Sequence, residues 1–270
     1  MSRIGIMGGG WLGLAVAEKA MERNHSIKVS TTHKEKSTLL KKKGFDAAVV
    51  EVSEFDINGE NDFFNDVKLL IISIPPGLRK NPNRNYIAVI EQIINKIELT
   101  GIEKVIFTSS TSVYGNQAEI ITEESELLGT TDAARQIIAV EKKLLEHKQF
   151  ESCILRLGGL VGPNRHPIFT LSGKKNIPNP LSPINFIHQQ DAVSIILHII
   201  ENWQGNQVYN AVTPFHPARI DYYSEMAKIA ALEAPAFQKS GIVRGIVSAN
   251  KVRKDLNFKF LVIGAFLFKF

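Results

Sequence analysis

The sequence predicts an α/β fold built on a doubly wound parallel sheet, and three features predict it. Short apolar runs of β-prone residues alternate with helical patterns through the first half of the chain, the arrangement of right-handed βαβ units. Residues 69–74 are an unbroken run of Leu, Leu, Ile, Ile, Ser and Ile, stopped by Pro75, Pro76 and Gly77, as expected of a strand buried on both faces that ends at a loop. A cluster of glycines, Gly8, Gly9, Gly10 and Gly13, falls between the first predicted strand and the first predicted helix.

Taken in order, residues 4–7 read as the first strand and 11–23 as the first helix, with Leu12, Val16 and Ala20 at helical spacing. Residues 25–31 form the second predicted strand, 34–43 a helix and 47–52 the third strand. After the 69–74 strand, Tyr86, Val89, Ile90, Ile93, Ile94 and Ile97 recur at helical spacing, and a buried strand follows at 104–109. A helix is predicted at 132–147, a strand at 153–157 and a helix at 189–202, with Asp191 near its N-terminus where the helix dipole favours a carboxylate. Between Gly158 and Pro183 the periodicity lapses, with five prolines and four glycines in 26 residues. Irregular chain of that kind is expected to frame a substrate pocket. A strand at 207–211 and a helix at 221–232 are expected to complete a small annex.

Composition narrows the functional classes. With 270 residues, 44% hydrophobic and 22% charged, the chain is long enough for one large domain, or one with an annex. The single cysteine, Cys153, excludes an intramolecular disulfide and fits a reducing compartment, so a cytoplasmic location is expected. The seven histidines show no HExxH or CxxC spacing, and no metal site is expected. The net charge of +5 comes from lysines and arginines interspersed with acids, which reads as a solvated surface and not as a nucleic-acid partner. The apolar start of the chain imitates a signal peptide, but its glycines break a helix and its basic region is Arg3 alone, so export is not expected. Residues 258–270 read FKFLVIGAFLFKF, shorter than the roughly 20 apolar residues of a bilayer span. No membrane partner is expected, and the segment is predicted to pack on the annex or on a neighbouring subunit.

Gly8-Gly9-Gly10-Trp11-Leu12-Gly13 fits G-x-G-x-x-G in the strand-to-helix context where that motif binds a dinucleotide. Gly8 permits the tight turn, Gly10 the close approach of a pyrophosphate, and Gly13 the packing of helix on strand, with the positive helix end facing the phosphates. Gly8, Gly10, Trp11, Leu12 and Gly13 are therefore candidate cofactor residues, joined by Ser73, Ile74 and Pro75 at the end of a neighbouring strand. About 20 residues on, where an acid reads the ribose of NAD, stand Thr31, Thr32, His33 and Lys34. No carboxylate precedes Glu35, and two hydroxyls, a histidine and a lysine suit the 2′-phosphate of NADP, with NAD as the alternative. Lys34 and Lys36 read equally well as a solvated helix face.

At 108–115 the chain reads Thr-Ser-Ser-Thr-Ser-Val-Tyr-Gly, at 155–163 Leu-Arg-Leu-Gly-Gly-Leu-Val-Gly-Pro, and at 187–193 Ile-His-Gln-Gln-Asp-Ala-Val. Together with the glycine turn, these segments resemble the extended and atypical short-chain dehydrogenase/reductase superfamily, the NAD(P)-dependent epimerase/dehydratase group. The resemblance implies a Rossmann cofactor core at 1–157, a substrate annex at 158–270 interleaved with it, a small-molecule substrate, and a homodimer formed through two helices. Ser110, four residues before Tyr114, falls at the place of the family's catalytic Ser or Thr. Glu141 resembles the family's glutamate on the 132–147 helix.

The family's Tyr-x-x-x-Lys pair, in which the ammonium lowers the phenol pKa, has no counterpart here. The 132–147 helix has no tyrosine, and the residues four beyond each of the five tyrosines are Ile90, Ala118, Thr213, Met226 and Ala227. Tyr114 is then the candidate to replace the missing phenol, and Asn164, Arg165 and His166 are candidates to hold a substrate beside Ser110. The leading expectation is an NADP-dependent oxidoreductase or epimerase-like enzyme with a substituted acid/base. The competing one is a protein that senses NAD(P)H without reacting it.

Overall fold

The computed structural model describes residues 3–262. Eight strands form the central sheet in the order β10-β7-β6-β5-β1-β2-β3-β4. These are β1 (Arg3–Met7), β2 (Ile27–Thr31), β3 (Asp46–Val52), β4 (Ile57–Gly59), β5 (Val67–Ile72), β6 (Lys104–Ser110), β7 (Glu151–Leu157) and β10 (Gln207–Ala211), all paired in parallel except β4, which runs antiparallel to β3. Strand order reverses between β1 and β5, the switch point at which doubly wound sheets bind ligands.

The unbroken apolar runs follow from burial on both faces. Leu69 and Ile71 join the cluster that contains Val16 of α1 (Trp11–Glu22), whereas Leu70 and Ile72 join the opposite cluster, beneath α3 (Tyr86–Glu98) and α4 (Asp132–Leu145). Asn85 and Thr131 cap α3 and α4, accepting from the N–H groups of Ala88 and Ala134. β5 begins and ends two residues earlier than the sequence predicts. The Ser73 N–H adds one more rung to the Met7 carbonyl at 2.8 Å, and Pro75 and Pro76, which have no N–H to donate, then turn the chain outward.

A second, two-stranded sheet pairs β8 (Gly159–Val161) with β9 (Phe186–His188). With α5 (Ile168–Leu171) and α7 (Arg219–Ile229) it surrounds an annex core of Ile168, Ile184, Tyr222 and Met226, so the stretch expected to be irregular carries short regular elements. β10, expected in the annex, instead pairs with β7 at the edge of the main sheet, with Tyr209 and Ala211 buried in the main core. α2 (Lys34–Lys42) lies beside β3, α6 (Gln189–Glu201) packs on α1, and α8 (Asn250–Asp255) on β10. Near the chain end, the Leu261 and Val262 N–H groups donate to the two carboxylate oxygens of the fully buried Asp191, at 2.9 and 3.1 Å. The rest of the apolar segment, 263–270, lies outside the described residues. Among the described residues no helix is long and apolar enough to cross a membrane.

Candidate functional site

The glycine turn is held by its neighbours on both sides. Gly8 has φ +104°, its N–H donates to Ser30 Oγ at 3.1 Å, and a Cβ there would lie 2.6 Å from the Ser73 carbonyl oxygen. A Cβ on Gly13 would come within 2.2 Å of the Gly8 oxygen, so the helix can approach the turn only as glycine. At Gly10 a Cβ would meet nothing nearer than 4.0 Å, which leaves the space above it open. α1 begins there with no side-chain cap and no acid in its first turn, so the first N–H groups, including those of Trp11 and Leu12, lack intrahelical acceptors. The open cradle and the uncapped positive end fit a phosphate-bearing cofactor.

From this turn a cleft of about 280 Å³ runs across the carboxyl ends of β1, β2, β3 and β5. Ser30, Thr31, Thr32, His33 and Lys36 line one side, and Ser73, Ile74, Pro75 and Arg84 another, with Val50 and Val52 as apolar wall. Among the described residues no carboxylate lines it. Thr31, Thr32, His33, Ser73, Ile74 and Pro75 thus share one cavity with Gly8 and Gly10. Lys34 is exposed and outside the lining, whereas Lys36 is half-buried within it. At about 100° per residue, two positions along α2 carry a side chain to the far flank of the helix, so the two lysines do not share a face. Leu12 is buried in the core and Trp11 packs at the edge of it. Val50, Val52 and Arg84 carried no signal in the sequence; only the strand order brings β3 and the loop after β5 to one cavity.

Ser110 lies half-buried at the end of β6, where its Oγ accepts the Ser112 N–H at 3.2 Å. Neither Ser110 nor Tyr114 is among the residues that line the cleft. The Tyr114 ring is fully buried, and its hydroxyl donates to Asn210 Oδ1 at 2.7 Å and accepts from Arg156 Nη1 at 2.9 Å. Burial pushes the phenol up, outweighing the opposing effect of the nearby Arg156 guanidinium. In this structure the phenol braces the core between Asn210 and Arg156. Arg156 also donates through Nη2 to Glu141 at 2.7 Å, and Ser109 Oγ donates to the other oxygen of the same carboxylate.

The three candidate substrate residues diverge. Asn164 is exposed at φ +56°, and the Arg165 guanidinium lies 5.0 Å from the centre of the Trp11 indole. His166 turns into the annex core, with Nδ1 accepting the Ile168 N–H at 3.1 Å and Nε2 2.9 Å from the Tyr222 hydroxyl. Burial pulls its pKa down to about 4, and pulls His188 and His216 down as well. As pH falls through about 6.5 the unfolded chain takes up protons that the folded chain refuses, so stability present above that pH is lost toward 4. Urea midpoints should show roughly 2 kcal/mol less stability at pH 5 than at pH 7 from His166 alone. A chain equally stable at both values would contradict this.

The NAD dependent epimerase/dehydratase family matches residues 4–211, a span that takes in the glycine turn, Ser110, Glu141 and every strand of the main sheet except the first residue of β1. The chain belongs to that family. Protein YeeZ of Escherichia coli (strain K12) is 28% identical over 264 residues, 96% of each chain. The UDP-glucose 4-epimerase of Thermotoga maritima, solved with UDP-glucose, superposes with a TM-score of 0.80 at 15% identity, covering 97% of this chain and 94% of the other. The UDP-glucuronic acid 4-epimerase of Bacillus cereus, solved in complex with NAD, gives 0.80 at 14% identity, with 95% and 91% covered. Both share the Rossmann-type fold. Against this epimerase/dehydratase background, α4 supplies the core with a carboxylate but has no Tyr-x-x-x-Lys pair.

Proposed function

We propose that this epimerase/dehydratase family member binds NADP(H) in the cleft and exchanges hydride with a small hydroxyl- or carbonyl-bearing substrate, for which the UDP-sugars of its structural neighbours are the first candidates. The observation that carries the reading is the acid-free cleft itself, in which Thr31, Thr32, His33, Lys36 and Arg84 share one cavity with the glycine turn. Two cations and three polar side chains favour a 2′-phosphate that a ribose-reading carboxylate would repel. A bound nicotinamide supplies the hydride chemistry. Ser110 then holds the substrate oxygen by a hydrogen bond at the end of β6.

In fluorescence titrations NADPH should bind at least about tenfold more tightly than NADH, a difference of about 1.4 kcal/mol, and Lys36→Glu should erase the preference. Tenfold tighter NADH would overturn the reading. Ser110→Ala should abolish turnover and leave NADPH affinity within about threefold. The burial of Tyr114 favours a second reading, in which the chain holds NADP(H) without reacting it. Tight NADPH binding with no hydride exchange across a panel of nucleotide sugars and simple carbonyls would select that one.

A further inference from the structure

Arg165 is aimed by the fold. Gly162 and Arg165 exchange both backbone hydrogen bonds, at 3.0 and 2.9 Å, closing a tight turn with Asn164 in the left-handed region. That turn is clamped to the first residue of α1. The Trp11 indole N–H donates to the Pro163 carbonyl at 3.1 Å, a Cβ on Gly162 would lie 3.2 Å from the indole, and the Arg165 guanidinium sits over the same ring. Gln189 Nε2 holds the Trp11 carbonyl at 2.8 Å, so the platform itself is fixed. A guanidinium is thereby held one side chain away from the uncapped N-terminus of α1.

Burial, and then the positive charge of Arg79, lower the Arg165 pKa. The chain has 27 acidic residues, and Arg3, Arg23, Arg135 and Arg156 all find one. Among the described residues Arg165 forms no ion pair, nor do Arg79, Arg84, Arg219, Arg244 and Arg253. A guanidinium with no acid partner beside a positive helix end favours an anion with several oxygens.

Resting on the reading of the cleft as a dinucleotide site, we propose that Arg165 holds the cofactor's diphosphate against the first turn of α1, with the Trp11 indole as the platform that orients it. The planar, multi-donor guanidinium suits phosphate oxygens. Arg165 thereby becomes a cofactor-binding residue and leaves the substrate site.

The test compares NADPH with adenosine 2′-phosphate, which carries the adenosine half and its phosphate but no diphosphate. Affinities are measured by calorimetry for the unmodified chain, Arg165→Leu and Arg165→Lys, with melting temperatures to establish that each folds. Arg165→Leu should weaken NADPH about tenfold or more, with a smaller loss in Arg165→Lys, while adenosine 2′-phosphate changes by less than about twofold in each. Unchanged NADPH affinity in Arg165→Leu overturns the clamp and leaves the dinucleotide reading standing. Equal losses for both ligands overturn it too, because the effect would not lie at the diphosphate. If the unmodified chain binds neither ligand, the dinucleotide reading fails and the clamp falls with it.

Discussion

Replacing Arg156 with methionine should destabilise the chain by about 3–5 kcal/mol, the usual consequence of removing one partner of a buried ion pair. Arg156 and Glu141 are 4% and 1% exposed, and three hydrogen bonds of 2.7–3.2 Å join them, through Arg156 Nε and Nη2. Without the guanidinium, Glu141 would keep only the Ser109 hydroxyl as donor in a site that water does not reach. Tyr114 would lose one of its two partners, and the Glu123 carbonyl would lose the Arg156 Nη1 donor at 3.2 Å. The double variant Glu141→Leu, Arg156→Met should recover most of the loss, because an apolar pair needs no compensation for desolvated charge. Equilibrium unfolding in urea measures both. A single variant within about 0.5 kcal/mol of the unmodified chain would show that the pair is not buried as described.

The same network explains why Tyr114 was misleading as a sequence signal. A hydroxyl near the end of β6 reads as a candidate acid, but its acceptor is Asn210, 96 residues further on, on a strand whose place was itself unpredictable. Residues 207–211 are recognisable as a strand, yet five residues of mixed polarity carry nothing that says which sheet they join; the main sheet claims them because β7 offers an unpaired edge. β5 was legible for the opposite reason. Its unbroken apolar run has only one physical solution, burial on both faces, and the prolines after it fix where the wall of the cleft begins. The glycine turn was legible because glycine alone satisfies the contacts at Gly8 and Gly13. The cations were harder. Lys34 and Lys36 are indistinguishable in composition and differ only in which flank of α2 they occupy, and Arg84 belongs to a loop without periodicity.

The last expected result separates the ligand site from the fold that carries it. Gly10→Ala should lower NADPH affinity by tenfold or more, about 1.4 kcal/mol, and leave the melting temperature nearly unchanged. Gly10 has φ −79° and ψ −158°, a conformation open to alanine, and a methyl there touches nothing of the protein within 4 Å except the Gly8 oxygen at that limit. The methyl therefore takes up only the space that a pyrophosphate at the α1 N-terminus needs. Gly13→Ala is the contrasting case, since its methyl lies 2.2 Å from the Gly8 oxygen and the turn must move to admit it. That variant should lose both stability and binding. Titration and thermal unfolding of the two variants side by side check the argument. If Gly10→Ala binds NADPH as tightly as the unmodified chain, the diphosphate does not approach this turn, and the uncapped helix end is no part of the site.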